Sequence, residues 1–247
     1  MPKTFSVIGS YVLLMQKVFS LPQKRKIFWN QLMTEINSLG IESLGIVAFI
    51  SAFMGAVVAI QTAYNIDSPL IPMSMVGFTT RQSIILEFSP TVISLILAGK
   101  VGSRIASEIG TMRVTEQIDA LEIMGVNSAN YLILPKITAA ILIFPVLIVF
   151  SMWMGILGGW VAMVSTGLLS TTEYVQGIRV DFEGYTIFYA LTKTVFFAYI
   201  ISSVSGFYGY ITNGGALEVG QASTKAVVYS SVIIILFNLV LTQLLLT

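Results

Sequence analysis

Residues 104–125 read RIASEIGTMRVTEQIDALEIMG, and the segments on either side of them are almost uninterrupted apolar residues. Lys100, Arg104, Glu108, Arg113, Glu116, Asp119 and Glu122 make up seven of the chain's 25 formal charges, 13 basic plus 12 acidic. The apolar positions Ile105, Ile109 and Met112, then Ile118, Leu121 and Met124, recur in steps of three and four. That period predicts an amphipathic helix over about 104–124. No proline lies between Pro90 and Pro135 to interrupt it. Arg104 and Glu108 are spaced i,i+4 and Arg113 and Glu116 i,i+3, pairs that add about 0.2–0.5 kcal/mol each to a helix. Gly110 costs up to about 1 kcal/mol relative to alanine, which marks it as a place for a bend. Glu116, Asp119 and Glu122, spaced by three, form a negative stripe. Spacing alone fits a solvated helix face better than a docking surface for a basic groove on another protein.

The flanking composition fixes the solvent. The chain has 247 residues, 55% hydrophobic and 10% charged, with a mean hydropathy of +0.87. Soluble domains carry about 25% charged residues, and a soluble core could not bury this much apolar surface, so the expected surroundings are lipid. A net charge of +1 gives no basis for nucleic-acid binding. The sequence contains neither cysteine nor histidine. Disulfides, thiol nucleophiles, Cys/His zinc sites and the commonest general base are therefore excluded.

A span needs about 20 apolar residues. Five segments qualify, at roughly 42–63, 83–98, 137–163, 185–208 and 226 to the C-terminus. A turn is expected at Asn65-Ile66-Asp67-Ser68-Pro69, and polar loops at 171–184 and 211–224. Residues 1–38 form an interfacial and cytoplasmic N-terminal segment, whose first 19 residues imitate a signal peptide, one lysine followed by an apolar run, but no small-x-small site follows. The run is too short to span and reads as a retained interfacial helix. The fold class is thus all-α and polytopic: an interfacial N-terminal segment and five transmembrane helices in a single domain, with a charged helix between the second and third. Lysine and arginine placement sets the orientation. With the N-terminus inside, ten basic residues fall on the cytoplasmic side and only Arg81 and Arg179 outside, with Lys193 within span four. The chain is then N-in and C-out, and helix 104–124 is cytoplasmic.

Residues Gly99-Lys100-Val101-Gly102-Ser103 and Glu108-Ile109-Gly110-Thr111-Met112-Arg113-Val114-Thr115-Glu116-Gln117-Ile118-Asp119-Ala120-Leu121 resemble the signature of MlaE-type ABC-transporter permeases, the bacterial inner-membrane subunits of lipid-transport systems that work with MCE proteins. The resemblance runs over most of the chain and implies a homodimer bound by an ABC ATPase dimer. An MCE-domain protein on the periplasmic side and a STAS-domain protein on the ATPase complete the implied assembly. It makes helix 104–124 the coupling helix, with Arg104, Glu108, Arg113, Glu116, Asp119 and Glu122 as its ATPase-facing charges. It implies a phospholipid as substrate, and a lipid cavity lined by spans one and five. The family pattern is departed from in three places: Lys100 and Leu86 stand where arginine is usual, and Asn127-Ser128 replaces Asp-Pro.

Glu87 and Lys193 are the ionisable residues well inside spans, where a charge costs at least about 2.5–3.5 kcal/mol. Counting from the outer ends of spans two and four places them roughly 9 and 12 Å deep at 1.5 Å per residue. They read as a structural ion pair or as polar groups of the lipid cavity, together with Gln61 near the outer end of span one. Pro90 is a candidate hinge, as is Pro145. Gly155 and Gly159 form a G-x-x-x-G that fits packing within the chain or between copies. Lys225, at the start of span five, snorkels. Residues 98–103 lack the glycine and hydroxyl spacing of a phosphate-binding loop, so ATP and magnesium are expected on the partner, with no cofactor in this chain. No nucleophile–base pair or metal cluster is evident, which points to a transporter subunit rather than an enzyme. The alternative is an ion-coupled secondary transporter of an amphipathic substrate using Glu87 and Lys193, although five spans do not divide into inverted repeats.

Overall fold

The computed structural model describes residues 2–20, 25–66 and 72–246. Residues 67–69 of the expected turn, and Lys24, lie outside them. Eleven α-helices are present among the described residues, and no strand: α1 Pro2–Val18, α2 Arg25–Ile36, α3 Glu42–Asn65, α4 Met75–Ser83, α5 Ile93–Leu97, α6 Ser103–Val114, α7 Gln117–Ile123, α8 Ser128–Ser165, α9 Thr171–Arg179, α10 Gly184–Tyr210 and α11 Ala216–Leu246. Among the described residues five helical segments are long and apolar enough to cross a membrane: 26–65, 75–114, 128–165, 184–210 and 216–245. The chain is a multi-pass membrane protein.

The helices are longer than their apolar cores. Residues 26–36, expected along the interface, continue through a π-helical turn at Asn37–Ile41 into α3. Segment 75–114 is continuous through wider turns at Ile84–Val92 and Ala98–Gly102. Pro90 explains the first of these: it lacks an N–H and its ring would strike the carbonyl four residues back, and a π-turn relieves both. Two expected loops are largely helical. The 171–184 loop contains α9, started by a capping box in which Ser170 Oγ accepts the Glu173 N–H and Glu173 accepts the Ser170 N–H. The 211–224 loop shrinks to 211–215, turned at Gly214 with φ +124°.

The chain divides into two compact units, one of residues 1–42, 95–143 and 196–240, the other of 43–94, 144–195 and 241–247. In the second, α3 lies on α8 with backbones touching at Ala52, Gly55, Gly155 and Gly158. The G-x-x-x-G of α8 thus packs within the chain. Beside it Ser51 donates to Ser151 at 2.8 Å and Ser151 to Ser89 at 3.0 Å, a buried hydroxyl chain joining three segments. Ala59, Ala63, Val76, Ala162, Met163, Leu169 and Tyr174 form the apolar core under α9. Burial raises the Tyr174 phenol well above its ordinary range, and its hydroxyl donates to the Ile156 carbonyl.

Arg81, assigned by sequence only to the outer side, is 2% exposed. Its guanidinium donates to the Ile178, Val180 and Asp181 carbonyls at 2.7, 2.8 and 3.2 Å and lies against the Phe78 and Phe182 rings. It satisfies carbonyls that the end of α9 leaves without partners and complements that helix's negative pole.

Candidate functional site

The charged stretch is an elbow of two helices. α6 continues the second span to Val114, and α7 occupies Gln117–Ile123. The single helix 104–124 is therefore corrected to two, and the bend falls at Thr115–Glu116 rather than at Gly110. Thr115 Oγ1 returns to the Thr111 carbonyl, and Glu116 takes a left-handed conformation with φ 59°. That conformation costs a non-glycine residue about 1–2 kcal/mol. Gly110 is buried, where a Cβ would press on Val219 and Thr212. The left-handed residue turns the Glu116 side chain away from Arg113, whose Nη1 instead bonds Asp119 Oδ1 across the elbow at 2.6 Å. The local pair Arg104–Glu108 is likewise replaced by tertiary partners: Arg104 pairs with Glu42, and Glu108 with Lys136 at 2.8 Å. Lys136 is 3% exposed and also pairs with Glu35. Lys100 donates to the Glu42 carbonyl. Of these cations Lys136 is the buried one, and it meets two carboxylates, since an unpaired charge left there would be costly.

The exit is equally defined. Gly125, at φ +75°, ends α7 in a Schellman motif, with Val126 N–H on the Leu121 carbonyl and Gly125 N–H on that of Glu122. Asn127 then caps α8, its Oδ1 accepting the Asn130 N–H at 3.2 Å. The Nδ2 of Asn127 donates to the Lys17 carbonyl and Ser20 Oγ, and that of Asn130 to the Val18 and Ser20 carbonyls. These two residues clamp the end of α1, where helix carbonyls lack partners. An asparagine immediately before an apolar run was the available signal, which sequence reading used only as a departure from the family pattern. α1 is seated further by Tyr11, whose hydroxyl donates to Ser203 at 2.9 Å and is pushed up to about 12 by burial.

Glu122 ties the elbow to two spans. Its Oε1 accepts from Tyr210, at the end of α10, at 2.8 Å and from Ser128, at the start of α8, at 2.9 Å. The Arg113 guanidinium lies 5.9 Å from the Tyr210 ring centroid. The hydrogen bond from Tyr210, then that from Ser128, holds the carboxyl below its ordinary range, with burial opposing and Arg113 and Lys17 assisting. A lowered carboxylate pKa stabilises at every pH above the ordinary value and is lost as pH falls through the lowered one. The contact is therefore expected to survive at neutral pH and release in acid. A fluorophore on residue 117 should report a transition below the ordinary glutamate range in the parent, shifted upward in Tyr210→Phe. Beyond the contact, Ile123 and Met124 are 88% and 68% exposed.

In the second unit Lys193 and Glu87 meet. Nζ lies 3.0 Å from Glu87 Oε2, 2.9 Å from Tyr189 Oη, 3.3 Å from Thr242 Oγ1 and 3.4 Å from the Leu86 carbonyl. That carbonyl is the one whose α-helical donor Pro90 cannot supply. The Lys193 side chain is 0% exposed, that of Glu87 44%. Pro90 is buried, and Gln61 is exposed near the end of α3.

The Permease MlaE family matches residues 32–244. A protein of Rickettsia bellii named "Probable ABC transporter permease protein" is 37% identical over 225 residues, 88% of this chain and 84% of that protein. A probable ABC transporter permease protein of Synechocystis is 33% identical, over 85% of this chain and 80% of that one. The chloroplastic protein TRIGALACTOSYLDIACYLGLYCEROL 1 of Arabidopsis thaliana is 33% identical, over 89% of this chain and 63% of its own. With a family match over most of its length, set on five membrane-spanning segments joined by a charged elbow, the chain belongs to the MlaE permease family.

Proposed function

We propose that the chain is the membrane-spanning subunit of an ATP-driven lipid transporter, that it works as a homodimer, and that an ATPase dimer grips the elbow of α6 and α7. The N-terminus and the elbow face the cytoplasm of a bacterial cell, and the C-terminus faces the periplasm. There an MCE-domain protein exchanges phospholipid with the permease, and a STAS-domain protein accompanies the ATPase. ATP and magnesium belong to the partner.

The observation that carries this reading is the bracing of the elbow. A push on α7 reaches α8 through Ser128 and α10 through Tyr210, because Glu122 holds both. The exposed Ile123 and Met124 offer apolar anchorage beside the negative Glu116. The charges inside the membrane are paired, which leaves wide apolar faces such as Phe53, Val57 and Ile60 of α3 toward lipid. A relative whose name is that of a galactolipid agrees with a diacyl lipid as cargo.

Replacing Glu116 and Asp119 with lysine is expected to abolish co-purification of the ATPase, as is Met124→Asp. The chain lacks cysteine, so Met124→Cys gives a single reporter that a membrane-impermeant maleimide should label only from the cytoplasmic side. Labelling of intact cells from outside, or an ATPase complex that survives both sets of changes, refutes the proposal.

A further inference from the structure

α1, α10 and α11 enclose an apolar groove of about 750 Å³ within the first unit. Its walls are Ile8 of α1, Phe196, Ile200 and Phe207 of α10, and Ile233 and Phe237 of α11. A second hollow of about 370 Å³ presents Asn213, Gln221 and Lys225. The two share Val7, Tyr208 and Tyr229, so they adjoin at those residues, an apolar part beside a polar part. The Tyr208 and Tyr229 rings stack at the junction with centroids 5.3 Å apart. Amphipathic rings of this kind sit where hydrocarbon gives way to headgroup. The α1 wall is fixed by the Asn127 and Asn130 clamp.

We infer that this is a binding site for one anionic glycerophospholipid, an acyl chain in the groove, the glycerol region at the paired tyrosines and the phosphate at Lys225. Among the described residues, two charged side chains line the polar part, Glu218 and Lys225. Glu218 is turned to the start of α11, where it accepts the Gly215 N–H at 2.8 Å. Lys225 is the cation that remains to meet an anion. The apolar groove, at about 750 Å³, falls in the range of small-molecule sites, about 300–1,000 Å³. A helix of another protein, 10–12 Å across, would have to leave the polar part unmatched. The inference rests on the membrane setting and the site's own chemistry, and does not require ATP-driven transport. Lys225, expected only to snorkel, acquires a ligand.

The test uses the purified full chain, without ATPase, in nanodiscs of phosphatidylcholine containing a minor fraction of phosphatidylglycerol with a diazirine in one acyl chain. A diazirine phosphatidylcholine serves as the second probe. Irradiation is expected to place adducts on residues 196–237, with phosphatidylglycerol preferred. Lys225→Gln should remove about fivefold of that preference, the factor for one cationic contact of about 1 kcal/mol. Ile233→Trp should cut adducts of both probes about tenfold, the loss of some two buried methylenes. Val146→Trp on an exposed face of α8 should not. Elution and helicity of each variant verify folding, and Lys225→Gln, at an exposed position, keeps the test decisive if Ile233→Trp fails to fold. Adducts spread evenly over the apolar surface, a preference untouched by Lys225→Gln, or capture of another protein's helix by a photoreactive residue at 229 in native membranes would overturn the assignment.

Discussion

Glu87→Gln is expected to destabilise the purified protein by about 3 kcal/mol, the lower end of the cost of stripping a buried charge of its partner. In a protein of this size that corresponds to a drop in Tm of roughly 6–12 °C. The asymmetry of the pair sets the sign of the comparison. Lys193 is wholly buried while Glu87 is nearly half exposed. Removing the carboxylate strands an ammonium among Tyr189, Thr242 and the Leu86 carbonyl, which can accept its protons but cannot balance its charge. Removing the ammonium instead, as in Lys193→Met, leaves a carboxylate on an open side of its span, where snorkelling and local bilayer thinning lower its cost, and the methionine fills the same volume. Lys193→Met should therefore cost less than Glu87→Gln. The double variant should be more stable than Glu87→Gln alone, because it contains no stranded ion. Thermal unfolding of the four proteins in one detergent completes the cycle. Equal costs for the two single changes, or a double variant as unstable as their sum, would show that charge pairing does not hold Lys193.

What the sequence reveals and conceals follows the range of the interactions. The five spans are legible because apolar length is a local property, and the elbow is legible because its charges interrupt that length. The bend inside it is not. Glu116 is left-handed through its setting between the Thr115 back-bond and the Arg113–Asp119 bridge, and nothing in its residue type announces that. Helical spacing suggested Arg104–Glu108 and Arg113–Glu116, yet Arg104 finds Glu42, 62 residues away, and Glu108 finds Lys136, 28 away. Depth counting puts Glu87 and Lys193 at similar levels, but their contact depends on how the second and fourth spans rotate. The α9 capping box was written locally as Ser170-Thr171-Thr172-Glu173, and polarity disguised it as a loop. Arg81 shows the converse limit. A basic residue counted toward topology is in fact a buried cap, its fork of N–H donors serving three carbonyls at once.

Gly55→Ala and Gly158→Ala are expected to prevent folding or to lower Tm more than any other single methyl added to these helices. A Cβ on Gly55 would enter the van der Waals radius of the Gly155 carbonyl oxygen, and one on Gly158 that of the Ala52 carbonyl oxygen. Both obstacles are backbone, so no rotamer change clears them. Overpacking against side chains costs about 1–3 kcal/mol, and a backbone clash between two membrane helices should reach or exceed that ceiling. Separating α3 from α8 would also stretch the Ser51–Ser151 hydrogen bond beside the contact. The same helices supply internal controls. At Gly155 a Cβ would meet the flexible end of Ile84 at 3.2 Å and the Ser51 carbonyl oxygen at 3.4 Å, so Gly155→Ala should be intermediate. At Gly45 in α3 nothing lies within 4 Å, and alanine there should be neutral or stabilise by up to about 1 kcal/mol through helix propensity. The expected order of Tm is Gly45→Ala, then Gly155→Ala, then Gly158→Ala and Gly55→Ala together at the bottom. A contact between copies makes a different prediction. Gly55→Ala would then yield a folded protein that elutes at half the parent's mass, and the small residues of α3 and α8 would belong to an interface between protomers.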